Sequence, residues 1–168
     1  MRLLFIVLSI ALIVSPAFSQ DLVFERQSLT LDFAQKIAAA CEAKAKELGF
    51  SVAVVVLDEV GTLKLAHLMD GQSITSLEWA KAKALSSFEF KQSTAKGDFR
   101  VWNIAEKTMV LGVSGGEPLI YEKSLLGAIG ISGTKGKEDE LITSAGIDTF
   151  NEIFKRRGAT KNFNARGR

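Results

Sequence analysis

The chain of 168 residues contains one cysteine, one histidine and two prolines. A lone Cys41 cannot close an internal disulfide, whatever the redox compartment. A lone His67 cannot anchor a zinc-type centre, which needs several His, Cys or carboxylate ligands at regular spacing. No H-E-x-x-H, C-x-x-C or C-x-x-C-H occurs. Ser76, Ser86 and Ser114 are present, but no nucleophile elbow surrounds any of them, so a hydrolytic triad has no support and no catalytic residue is assigned. Charge of one sign is lacking too: 21 Lys and Arg face 19 Asp and Glu, for a net charge of +2. That balance implies no nucleic-acid partner. Neither an internal repeat nor a linker divides the chain, whose length suits a single core.

The one long apolar run lies at the N-terminus. Arg2 followed by Leu3 to Val14, then Pro16 and Ala17-Phe18-Ser19, reads as a secretory signal peptide over residues 1–19. The run is shorter than the roughly 20 residues of a membrane span, so no stable membrane insertion is expected once it is cleaved. The expected location is periplasmic or secreted. Residues 20–28 form an N-terminal segment, 29–157 the domain, and 158–168 a basic tail read as disordered, with Gly158 as the helix stop before it.

Within the domain, Thr30 to Leu48 repeats apolar residues at helical spacing, with Ala34, Ile37, Ala38, Cys41 and Ala45 on one stripe. Cys41 on that stripe is expected to act as a small buried hydrophobe. Ser51 to Leu57 is apolar on both parities, as in a strand covered on both faces. Thr62 to Met69 is the second arm of a hairpin, with Leu63, Leu65, His67 and Met69 sharing one face. Thr75-Ser76-Leu77-Glu78 fits a capping box, opening a helix to about Phe90. Met109 to Val113, Pro118 to Tyr121 and Leu125 to Ser132 read as strands, and a last helix runs from about Lys137 to Arg157. The order predicts a single α+β domain, with a largely antiparallel sheet of about five strands flanked by helices.

The blocks LGAIGISG (Leu126 to Gly133) and DELITSAG (Asp139 to Gly146) form an ordered set with MDG at Met69 and KALSS at Lys83. The glycine spacing does not match a dinucleotide fingerprint. Gly127 and Gly130 suit close approach of helices or another subunit to both faces of the strand, and the Gly133 to Gly136 turn, structural by default, leads into a helix N-terminus able to hold an anion. The set as a whole resembles the GlcG/HbpS-like haem-binding (haem-degrading domain) family over Leu29 to Phe154. The resemblance implies a profilin-like α/β/α fold, haem or a related tetrapyrrole as ligand, and a homo-oligomer. A binding protein fits better than a dedicated enzyme.

The candidate haem-binding residues are His67, Met69, Thr75, Ser76, Lys83, Ser114 and Gly115. His67 reads by default as a histidine satisfied in the core, and alternatively as an axial ligand to iron. Thr75 reads by default as a cap, and alternatively as a hydroxyl contact to iron. Lys83 is either a surface or interface lysine or a partner for the propionates. Leu68 stands where the family commonly has arginine, which weighs against an acidic ligand. The alternative function is an accessory module that binds a small organic acid or corrinoid, without haem, between the Thr75 helix and the Ser114 loop.

Overall fold

The computed structural model describes residues 26–96, 103–104, 108–109 and 112–165. The leader at 1–19, most of the 20–28 segment and the last three tail residues lie outside the described residues.

Helix α1 (Leu31–Glu47) starts at Thr30, whose side chain accepts from the Phe33 N–H and satisfies one of the free first-turn donors. Its buried residues, Ala34, Ile37, Ala38, Cys41 and Ala45, form the expected stripe. Strands β1 (Ala53–Leu57) and β2 (Leu63–Leu68) form an antiparallel hairpin. Helix α2 (Ile74–Phe90) follows, then a two-residue ribbon of β3 (Asn103–Ile104) and β4 (Thr108–Met109). Strands β5 (Gly116–Tyr121) and β6 (Ser124–Ser132) make a second hairpin, and helix α3 (Lys137–Ala165) follows.

The main sheet is antiparallel with order β2-β1-β6-β5. Its register sorts residues into two faces, because directly paired residues project the same way. Val54 pairs with His67 and Ile131, and Val56 with Leu65 and Ile129. This face joins Val52, Ala34, Ile37, Cys41 and Phe150 in the larger core, under α1 and α3. Ala53, Val55 and Leu57 project the other way and pack with Ala80 and Ala84 of α2. Three layers, α/β/α, result. Every residue of β1 is buried, because helices cover both of its sides.

Two glycines explain how closely the layers approach. A Cβ at Gly130 would lie 2.0 Å from the Ala80 carbonyl oxygen, so α2 rests directly on β6. A Cβ at Gly146 would lie 2.6 Å from Cys41 Sγ, so α1 and α3 are equally tight. Burial pushes the Cys41 thiol up to about 12, against a weaker opposing bond to Gly146 and with a small addition from Glu42, and keeps it a packing group.

Three expectations need correction. Among the described residues the main sheet has four strands rather than about five: of the strand expected at Met109 to Val113, residues 110 and 111 lie outside the described residues, Thr108–Met109 pairs with Asn103–Ile104 in a separate ribbon, and Val113 belongs to the turn before β5. The tail expected to be disordered from residue 158 is helical to Ala165. A single internal glycine costs a helix only about 1 kcal/mol relative to alanine, so Gly158 alone does not stop it. Finally, α2 is capped by Ser73, whose side chain accepts from the Ser76 N–H, so Thr75 and Glu78 form no box.

Candidate functional site

Two grooves hold His67, Met69, Thr75, Ser76 and Lys83, and they have no lining residue in common. The first, of about 600 Å³, runs along β2 and α1 between Glu42, Lys46, Ser51 and the stretch Ala66 to Asp70. His67 and Met69 lie here. Glu42 lies on α1 one residue past the buried Cys41, at the margin of the apolar stripe. Its Oε1 is 2.6 Å from His67 Nδ1. The His67 side chain remains 40 % exposed and that of Glu42 25 %. The default reading of His67 as a core histidine is therefore wrong. β2 is an edge strand, so a residue on its core-facing side is not covered as it would be on β1. Met69 is half-buried against the larger core.

The second groove, of about 420 Å³, lies where α2 begins, β6 ends and α3 begins. Thr75, Ser76, Trp79 and Lys83 line it from α2, Val113 from the turn before β5, and Ser132 to Gly136 with Asp139 from the other side. At its floor is a buried ion pair. Lys83 Nζ donates to Asp139 Oδ2 at 2.6 Å and to the Ile131 carbonyl at 2.9 Å. The side chains are 2 % and 1 % exposed. The other carboxylate oxygen, Oδ1, accepts from Thr134 N at 3.1 Å and Thr134 Oγ1 at 2.8 Å. The carboxylate held at the Gly133 to Gly136 turn is thus the protein's own Asp139, in line with the default structural reading of the turn. Desolvation lowers the Lys83 ammonium below the usual lysine range, and the bond and charge of Asp139 work against that.

Lys83 is consequently neither a surface lysine nor an unpaired cation awaiting propionates, because Asp139 already neutralises it. Lys81 is exposed on the same helix. Thr75 is exposed, while Ser76 Oγ donates to Gln72 Oε1 at 2.6 Å. Gly115 stands behind the pair, and neither it nor Ser114 lines the groove. The Gly115 carbonyl accepts from Ile131 N at 2.7 Å and Thr143 Oγ1 at 3.2 Å, and a Cβ there would lie 3.2 Å from Lys83 Nζ. The candidate set therefore divides in two, with His67 and Met69 in one groove and Thr75, Ser76 and Lys83 in the other.

Sequence reasoning missed Glu42, Asp139 and Trp79. Glu42 looks like one more solvated acid on a helix. Asp139 looks like a first-turn carboxylate favoured by the helix dipole. Its reach back to Thr134 has a legible signal, however, since it sits at the third helical position, from which capping-box acids turn back. Trp79 gave no signal beyond being aromatic. Among the described residues no group of three or more His, Cys, Asp or Glu could hold a metal ion, and no helix is long and apolar enough to cross a membrane.

The family model described as haem degrading protein HbpS-like matches residues 29–148. An uncharacterised 15.0 kDa protein of the dhaT-dhaS intergenic region of Citrobacter freundii is 29 % identical over 134 residues, covering 75 % of this chain and 94 % of that one. Among solved structures, the Klebsiella pneumoniae protein ORFY superposes with a TM-score of 0.69 at 28 % identity, over 79 % of this chain and 97 % of that one. A double mutant of Streptomyces reticuli HbpS gives a TM-score of 0.63 at 26 % identity, over 74 % and 88 %. PduOC, solved as a complex with haem, gives a TM-score of 0.66 over 73 % and 95 %; at 24 % identity it speaks to the fold alone.

Proposed function

The chain belongs to the HbpS-like family of haem degrading proteins, and we propose on that footing that it binds haem or a related tetrapyrrole transiently, with His67 as the iron ligand. The observation that carries this reading is the 2.6 Å contact between Glu42 Oε1 and His67 Nδ1. A carboxylate on one ring nitrogen fixes the ring's orientation and leaves Nε2, the other nitrogen, for a metal. The ring is partly exposed, and its groove has room for a large planar ligand. Met69 offers apolar surface beside it, and Lys46 offers a cation for a propionate. An open groove with one histidine suits transient holding better than the permanent ligation of a cytochrome.

When bound, haem supplies redox-active iron, and slow degradation would arise from that iron rather than from residues arranged for catalysis. The leader-like residues 1–19 support action in the periplasm or outside the cell. The exposed Leu63 and Leu68 of edge strand β2 support self-association.

The alternative, an organic-acid module in the second groove, is weakened by Asp139, which takes the charge an acid would need. Titration of haem into the purified protein, read by the Soret band and by size exclusion, tests the proposal. A saturable, stoichiometric shift on a defined oligomer is expected, and His67→Ala should abolish it while leaving the fold intact. A broad, unsaturable spectrum would overturn haem binding, and an unchanged spectrum for His67→Ala would overturn His67 as the ligand.

A further inference from the structure

Lys83 and Asp139 lie outside the His67 groove, and the haem reading uses neither. Their arrangement exceeds what a structural tie needs. An ammonium has three N–H donors, and Lys83 spends two, on Ile131 O and Asp139 Oδ2. The third meets no acceptor among the described residues. The Gly115 turn closes over the pair from behind, since a Cβ there would sit 2.9 Å from Asp139 Cβ and 3.2 Å from Lys83 Nζ. On the other side both residues line the groove of about 420 Å³, with Thr75, Ser76 and Trp79 around them. The size suits a small molecule.

The ligand's charge follows from the pair. Asp139 already balances Lys83, so a second carboxylate would have to enter beside an existing one. An uncharged oxygen acceptor faces no such repulsion.

We propose that this groove takes small aldehydes or ketones and that Lys83 condenses with them to an imine, with Asp139 carrying the protons. Asp139 accepts a proton from the Lys83 ammonium, which exposes the nitrogen lone pair. That nitrogen attacks the carbonyl carbon, forming the C–N bond, and the carbonyl oxygen becomes a hydroxyl as the nitrogen gives up a second proton to it. Asp139 returns its proton to this hydroxyl. Water leaves, the C–O bond is broken, and a protonated imine remains beside the regenerated carboxylate. No oxidant or reductant is required, and the total charge is unchanged. A lysine held below its ordinary range by burial is primed for this reaction.

The test treats the full-length protein with butanal and sodium cyanoborohydride at pH 7, followed by peptide mapping. Lys83 should be alkylated faster than exposed Lys81 or Lys135 by about tenfold or more, because the groove holds the carbonyl against its nitrogen and Asp139 carries the protons. Asp139→Asn should slow labelling at Lys83, because the acid that expels water is lost although the amine is freed of its charge partner, and should leave the exposed lysines unchanged. Label confined to exposed lysines, with Lys83 unmodified in the folded wild-type protein, would overturn the proposal even if the Asp139 variant failed to fold. His67→Ala should label like wild type, so failure of the haem reading and failure of this one are separate results.

Discussion

Two contacts in this molecule pair a carboxylate with a nitrogen base at 2.6 Å, and their surroundings are opposite. Glu42 and His67 meet on an edge strand, with 25 % and 40 % of their side chains exposed; Asp139 and Lys83 meet under a glycine turn, at 1 % and 2 %. The difference teaches what a charge pair can do at each depth. In a partly hydrated site the contact orients a ring and contributes little to folding, so the second ring nitrogen is at a ligand's disposal. In a dry site each member depends on the other, because removing one leaves an uncompensated charge.

The largest expected effect tests that dependence. Asp139→Ala should destabilise the fold by about 3–5 kcal/mol, measured by urea denaturation, because it strands the Lys83 ammonium and releases Thr134. The double variant Lys83→Met, Asp139→Leu should recover most of that loss, since apolar replacements of similar volume remove the desolvation cost. A single-variant loss below about 1 kcal/mol would mean that the pair is hydrated and the two sites differ less than their burial says.

Next comes Glu42→Gln. It should weaken haem binding by about 10–100-fold, the range seen when a carboxylate behind a metal-bound histidine is removed. The unfolding midpoint should barely move, because the site is half open. A large stability loss without any change in the haem titration would make Glu42 and His67 a structural pair.

A third effect is smaller and distinguishes the sites by pH. Burial holds Lys83 below the ordinary lysine range in the folded chain, with Asp139 acting against it. Between that lowered value and the ordinary one, the unfolded chain binds more protons than the folded chain. Stability attributable to Lys83 should therefore rise with pH across the window and fall away as pH drops through the folded value. For one proton the slope cannot exceed about 1.4 kcal/mol per pH unit. Subtracting the pH profile of the Lys83→Met, Asp139→Leu variant removes the surface lysines, and a flat difference would show that Lys83 titrates as in the unfolded chain.

Both faces of the sheet were legible in the sequence, because period and burial coincide there. The all-apolar run at Val52 to Leu57 is the doubly covered strand, and the Cys41 stripe is the helix against Gly146. The pairing of chemical groups was not legible. His67 shares a parity with Leu65 and faces the core side, but its strand is at the edge, and strand order is not written in alternation. Lys83 and Asp139 are 56 residues apart, and neither position alone shows that α2 and the start of α3 close on the same spot. The capping signal at Thr75 was misplaced because Ser73, Thr75 and Ser76 all favour helix starts, and only backbone geometry chooses between them.

That misplacement supplies the smallest expected effect. Ser73 accepts the Ser76 N–H, so Ser73→Ala should cost about 1 kcal/mol of stability. Thr75 is exposed and lies beyond the cap, so Thr75→Val should change stability by less than about 0.5 kcal/mol. Thr75 also lines the lysine groove and not the histidine groove, so Thr75→Val should leave the Soret titration unchanged. A weakened Soret response in Thr75→Val, with stability intact, would move the haem to the mouth of the lysine groove. The ligand would then lie over Lys83 and Asp139, and the exposed Glu42–His67 pair would lose its assigned role.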